Sequence, residues 1–179
     1  MRMEVEQKAR IEEPDSIKRV LDKKYGLGIE IDKEDQYYWI VSGDDYNSLK
    51  NSKKVRLRRE NQKWTCTSKE KTIENGTEKN KEIEFTVDDI ISFKQFLDYL
   101  GFSFLCSKQK KGWKYVSDDM CIELCNVGHL GWFLEVEIVT DEDNVSFAEN
   151  KIISFMKDMG LSSSIEERPY LELLCKDKN

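Results

Sequence analysis

Charges of one sign recur at every second residue in five separate stretches of this chain, and that repetition limits what it can fold into. Glu4 and Glu6 flank Val5, Arg56 and Arg58 flank Leu57, Glu82 and Glu84 flank Ile83, Lys108 and Lys110 flank Gln109, and Glu135 and Glu137 flank Val136. Residues i and i+2 of a β-strand share a face and lie roughly 6.5–7 Å apart. Each stretch therefore reads as a strand with like charges on one face. The other face is apolar: Met3, Val5, Ala9 and Ile11 in the first strand, Val55 and Leu57, Ile83 and Phe85, then Leu134, Val136 and Ile138. Antiparallel sheets wetted on one side show such alternation, but a solvated face usually mixes signs because neighbouring like charges repel. Here the signs segregate, so something must lie between them.

The same period of two predicts strands over Met3–Ile11, Leu27–Val41, Lys53–Glu60, Lys63–Lys69, Lys79–Val87, Phe102–Val116, Met120–Cys125 and Leu130–Val139. Asn61 and Gln62 join the third and fourth as a hairpin, and loops are expected at Gly43–Ser52 and around Asn75–Gly76. The charge runs Lys50–Lys54 and Lys69–Lys81 read as solvated loops and strand ends. Three helices fall between these segments. Pro14 starts one that runs to Tyr25, Asp88 caps one that Gly101 stops, and a last spans Val145–Met159. The fold class is α+β, dominated by antiparallel sheet. If the three amphipathic helices cover the apolar faces from outside, the charged faces point inward. An eight-stranded closed sheet has an interior wide enough for side chains or one small ligand.

At 179 residues, with only Pro14 and Pro169 and no Gly- or Ser-rich divider, residues 1–179 form a single domain. The net charge of −6 argues against a nucleic-acid partner. Five cysteines (Cys66, Cys106, Cys121, Cys125, Cys175) without Cys-x-x-Cys spacing read as free thiols of a reducing compartment. No apolar run is long enough to cross a bilayer as a helix, and the charged start is unlike a signal peptide, so a cytoplasmic location and no membrane partner are expected. The one histidine, His129, removes most zinc and Ser-His chemistries and reads as a structural or exposed turn residue. Tyr37, Tyr38 and Trp39 read as strand packing.

Burying unpaired charge is costly, so rows of like charge on an inner face need counter-ions. Carboxylate clusters suit Mg²⁺ or Mn²⁺, which prefer oxygen ligands. Rows of Arg and Lys suit a polyanion. A metal-bound triphosphate satisfies both.

These residues resemble a known family. Glu4-Val5-Glu6-Gln7-Lys8 is similar to the opening Glu-x-Glu-x-Lys signature of the CYTH domain, the triphosphate tunnel metalloenzymes. The likeness continues in order through Asp35-Gln36-Tyr37, Val55-Arg56-Leu57-Arg58-Arg59-Glu60, Lys69, Glu82-Ile83-Glu84, Lys108-Gln109-Lys110 and Leu130-Gly131-Trp132-Phe133-Leu134-Glu135-Val136-Glu137. The resemblance implies an eight-stranded antiparallel β-barrel with about three helices outside. It implies metal ligands at Glu4, Glu6, Glu135 and Glu137, with Glu123 a further metal-ligand candidate from its place on the same face, and triphosphate-binding cations at Lys8, Arg56, Arg58, Lys69, Lys108 and Lys110. Glu4, Glu6, Lys8 and Glu135 then carry the catalysis. Lys110 stands where arginine is common. Cys125 stands where the family usually has an aspartate, and Glu123, on the same face, is the carboxylate able to replace it.

The tail Arg168-Pro169-Tyr170-Leu171-Glu172-Leu173-Leu174 looks most like the class IV adenylyl cyclase branch, which implies conversion of ATP to cyclic AMP and pyrophosphate. The alternatives are a triphosphatase acting on thiamine triphosphate, inorganic triphosphate or a nucleoside triphosphate, and a module that binds nucleotide or polyphosphate without turnover. The oligomeric state, monomer or homodimer, stays open.

Overall fold

A computed structural model of the chain describes residues 2–40, 53–74 and 76–176. The expected Gly43–Ser52 loop and Asn75 lie outside the described residues. Eight strands are present: β1 (Arg2–Ile11), β2 (Ile29–Ile40), β3 (Lys54–Glu60), β4 (Lys63–Glu74), β5 (Thr77–Val87), β6 (Phe102–Ser117), β7 (Met120–Val127) and β8 (Trp132–Asp141). They hydrogen-bond in the order β1-β5-β4-β3-β2-β6-β7-β8, which closes as a barrel. The helices are α1 (Pro14–Tyr25), α2 (Ile90–Tyr99), α3 (Val145–Asp158) and α4 (Tyr170–Lys176). No helix among the described residues is long and apolar enough to cross a membrane.

The chain divides into two compact units. The first comprises Met1–Asp32, Glu70–Glu82 and Lys110–Asn179. Its core lies between sheet and helices. Val5 and Ala9 of β1, Ile122 and Leu124 of β7, and Leu134, Val136 and Ile138 of β8 pack with Leu21 of α1 and Ala148, Ile152, Phe155 and Met156 of α3. Burying each large side chain contributes about 1.5–3 kcal/mol. Because strand side chains alternate, this packing commits Glu4, Glu6, Lys8, Glu123, Glu135 and Glu137 to the opposite face of the sheet. Gly112 of β6 is needed where that strand passes β7. A Cβ there would come within 2.8 Å of the Cys125 Cα, closer than any side chain could sit.

The second unit comprises Lys33–Lys69 and Ile83–Gln109. Leu57, Cys66, Val87 and Leu97 of α2 form its core, with Tyr38, Val55, Trp64 and Phe93 packed against them. Here too the apolar strand faces meet a helix, and Asp35, Arg56 and Arg58 occupy the other face. The β3–β4 hairpin turns at Asn61 and Gln62, both with positive φ (49° and 65°), as a tight two-residue turn requires.

Three expectations need correction. Asp89, not Asp88, caps α2: its carboxylate accepts from the Ile91 and Ser92 amides, 3.1 Å each. The helix count rises from three to four among the described residues, because Tyr170–Lys176 is helical. The Lys69–Lys81 run, read as solvated loops and strand ends, carries more strand than expected: β4 reaches Glu74 and β5 begins at Thr77, with Gly76 at φ 74°. A polar run gave no apolar period to read. It nevertheless places three polar side chains, Thr77, Glu78 and Asn80, in full burial.

Candidate active site

Register brings the first unit's charges together. On β1 and β8, Glu6 lies across from Glu137 and Lys8 across from Glu135. On β1 and β5, Glu4 lies across from Asn80 and Glu6 from Glu78. On β7 and β8, Glu123 lies across from Glu135. The result is a candidate metal centre: Glu4, Glu6 and Glu137 each offer a carboxylate oxygen, and these oxygens lie within 4.8 Å of one another. Three hard anionic oxygens at that spacing are a donor set suited to Mg²⁺ or Mn²⁺.

The neighbouring rows of opposite sign are compensated inside the protein. Lys8 Nζ donates to Glu78 Oε1 at 2.9 Å, with both side chains almost wholly shielded. Lys110 Nζ lies 2.7 Å from Glu123 Oε2 and also pairs with Glu135. Counter-ions for these lysines therefore come from other strands, one or two places away in the sheet, a contribution that no single strand's sequence carries. Glu123 and Glu135, expected as metal ligands, are bridged by the Lys110 ammonium.

Cys125 is fully buried among Val127, Phe133, Tyr170 and Leu173. The residue that replaces the usual aspartate thus belongs to an apolar floor on the charged face, closed by α4. Tyr170 packs edge-on against Phe133, with ring centroids 5.1 Å apart, and Lys8 Nζ is 5.4 Å from the Tyr170 ring centre. Burial first, and the Glu135 carboxylate second, push the Tyr170 phenol well above its ordinary range, so it stays protonated. The segment before α4 is held by Glu166. Its backbone amide donates to the Lys8 carbonyl at 2.9 Å, and its carboxylate accepts from Arg10 Nε (2.9 Å) and Arg168 Nε (2.7 Å). Glu166 carried no sequence signal, since its partners are 156 residues away and two residues away.

In the second unit, Asp35 is the hub. Arg58 grips it bidentately, Nε to Oδ1 at 2.7 Å and Nη2 to Oδ2 at 3.0 Å, and Lys108 Nζ lies 3.0 Å from Oδ2. Burial raises the Asp35 pKa, but Lys108 and Arg58 outweigh it and hold the carboxyl well below the usual range. Arg56 Nη2 donates to Thr67 Oγ1 at 3.1 Å and lies 3.8 Å from Glu84. The buried Arg56 Nε has no hydrogen-bond partner among the described residues. Lys69 shares this face: Thr65 and Thr67 of β4 lie across from Arg58 and Arg56, and Lys69 is the next residue of that alternation. Glu82 is exposed, and His129 lies in the exposed turn Gly128–Leu130. Tyr38 packs edge-on to Phe104 with centroids 5.7 Å apart, as expected of strand packing.

The family model of the CYTH domain matches residues 2–170. The chain belongs to the CYTH family. Members of this family are in general metal-dependent enzymes acting on triphosphates within a β-tunnel. A Methanocaldococcus jannaschii protein named provisionally as an adenylate cyclase is 27% identical over 177 residues, covering 96% of this chain and 98% of its own. A solved protein of Pyrococcus horikoshii is 26% identical with a TM-score of 0.81, covering 97% of this chain and 99% of its own. A Hippeastrum protein described as having a dominant triphosphatase activity shares the fold at 14% identity and a TM-score of 0.63, covering 94% of this chain and 91% of its own.

Proposed function

We propose that this CYTH protein is an adenylyl cyclase-like enzyme that converts ATP to cyclic AMP and pyrophosphate with Mg²⁺ or Mn²⁺. The observation that carries the reading is the convergence of Glu4, Glu6 and Glu137 oxygens to within 4.8 Å. Likeness across nearly the full length of the archaeal relative named for a cyclase supports the choice of reaction.

Glu4, Glu6 and Glu137 would hold the cation, which when bound offsets negative charge on phosphate oxygens. Lys8, Arg56, Arg58, Lys69, Lys108 and Lys110 are the proposed phosphate-binding cations. Most already face a carboxylate: Glu78 for Lys8, Asp35 for Arg58 and Lys108, Glu84 for Arg56, and Glu123 with Glu135 for Lys110. Such pairing preorganises them, and phosphate oxygens then compete for the same donors. In Arg56 the unpartnered Nε is a donor ready for one of them.

In the reaction, the ribose 3′-oxygen bonds to the α-phosphorus as the bond to the bridging oxygen of the β-phosphate breaks. Pyrophosphate leaves, and the hydroxyl proton passes to a site carboxylate, assigned here to Glu135. The cationic side chains lower the barrier by stabilising charge that builds on the leaving pyrophosphate. Glu123 keeps Lys110 in place next to Glu135.

The test is incubation of the purified protein with ATP, thiamine triphosphate and tripolyphosphate, each with Mg²⁺ or Mn²⁺. Cyclic AMP with stoichiometric pyrophosphate is the expected result. Released orthophosphate instead would assign hydrolysis, and tight binding without product would assign a binding module. Either outcome overturns the cyclase reading.

A further inference from the structure

Asn80 is fully buried on β5, and neither its amide oxygen nor its amide nitrogen has a hydrogen-bond partner among the described residues. An amide in that condition is destabilising, because water is lost from both polar atoms and nothing replaces it. Buried polar groups are nearly always satisfied, so an orphan of this kind points to a missing partner. Position supplies the candidate. Asn80 lies directly across from Glu4 in the β1–β5 register, on the face that carries Glu6 and Glu78. Side chains so opposed have Cβ atoms about 4.5–5.5 Å apart. The amide therefore adjoins the carboxylate cluster of Glu4, Glu6 and Glu137.

We propose that Asn80 is a fourth member of that cation site, with Oδ1 supplying a neutral oxygen to the coordination shell and Nδ2 left to donate to a phosphate oxygen. The inference rests on the metal reading of the cluster given above. It accounts for an amide rather than a carboxylate at this position. A fourth negative charge would add repulsion to an already crowded anionic group, whereas an amide oxygen adds a ligand without charge. It also accounts for an amide rather than leucine, which would fill the same buried space without unsatisfied atoms.

The experiment compares wild type, Asn80→Leu and Asn80→Asp by Mn²⁺ titration without nucleotide, read by calorimetry or by the loss of the free-ion EPR signal, together with thermal unfolding in chelator. Asn80→Leu is expected to weaken Mn²⁺ binding by about 10-fold or more. It should also raise the metal-free unfolding midpoint by about 2–4 °C, since it removes a buried orphan amide. Asn80→Asp should tighten Mn²⁺ binding. Equal Mn²⁺ affinity in wild type and Asn80→Leu overturns the Asn80 assignment and leaves the metal reading intact. No Mn²⁺ binding by wild type removes both. A lower metal-free midpoint for Asn80→Leu assigns the amide a structural role and overturns the proposal. If Asn80→Leu does not fold, unchanged affinity in Asn80→Asp overturns it.

Discussion

The Lys8 ammonium sits 2.9 Å from the Glu78 carboxylate, with side chains 4% and 2% exposed, although register sets Glu78 across from Glu6. The pair is diagonal across β1 and β5. Glu78 therefore neutralises a cation one step along the barrel wall from the carboxylate cluster. Removing one partner of a buried pair leaves the other charge without compensation. Glu78→Gln should cost about 3 kcal/mol of stability, a little under the full penalty of a broken buried pair because Glu135 also neighbours Lys8. Chemical denaturation measures it, and Lys8→Met combined with Glu78→Leu should recover most of the loss. A single-variant cost below about 0.5 kcal/mol would show the pair to be freely hydrated.

Glu166 makes the tail acid-sensitive. The Arg168 side chain first, and Arg10 with it, lower its carboxyl from the usual 4.5 to about 2, against the opposing effect of burial. A folded-state pKa below the unfolded one gives stability that is present above the unfolded pKa and is lost as pH falls through the folded value. The window here runs from about pH 4.5 down to about pH 2. Both arginines are nearly half exposed, so the contribution is on the order of 1–2 kcal/mol. Glu166→Gln should flatten this part of the stability profile. Hydrogen exchange of the residue 166 amide, bonded to the Lys8 carbonyl, should accelerate in the variant at neutral pH. An unchanged rate would mean that the backbone bond, not the carboxylate, fixes the tail.

Most of the barrel was legible because alternation survives translation into structure wherever one face is aliphatic. Val5 and Ala9, Leu134 and Val136, and Val55 and Leu57 pack against helix-bearing cores as their spacing demands. The site was legible one strand at a time. Glu4, Glu6 and Glu137 could be named from their positions, but that their oxygens meet within 4.8 Å is a product of register between β1 and β8. Glu78 and Asn80 were missed for a physical reason. Glu78 lies just before the strand expected at Lys79–Val87 and Asn80 near its start, and because the outer face there, Lys79 and Lys81, is also charged, no aliphatic face marked either side chain as buried. Lys79 is held outside by Glu74 (2.8 Å) and by Glu149 of α3 (3.2 Å), contacts that only the fold supplies.

Glu6→Gln tests the carboxylate cluster while keeping shape. Glutamine retains an oxygen but not the charge, so divalent-cation affinity should fall by about 10-fold or more and turnover should be lost. Metal-free stability should change by less than about 1 kcal/mol, because the substitution also relieves repulsion among three crowded carboxylates. Mn²⁺ titration and product analysis read the two effects separately. Full activity in this variant would remove Glu6 from the metal assignment.

Arg56 tests the phosphate clamp. Its Nη2 is engaged by Thr67, its Nε is buried without a partner among the described residues, and Glu84 is 3.8 Å away. A guanidinium held on one side and open on the other can present two parallel donors to a phosphate, which an ammonium cannot do. Arg56→Lys should therefore weaken triphosphate binding by about 10-fold, the equivalent of one charge-assisted hydrogen bond. Arg56→Ala should weaken it further. Adenosine monophosphate should be much less affected, since it has a single phosphate for the basic set to hold. Competition binding of ATP, tripolyphosphate and adenosine monophosphate to the three proteins gives the comparison. If mono- and triphosphate lose affinity equally, Arg56 acts through general charge and not as part of a clamp on the triphosphate chain.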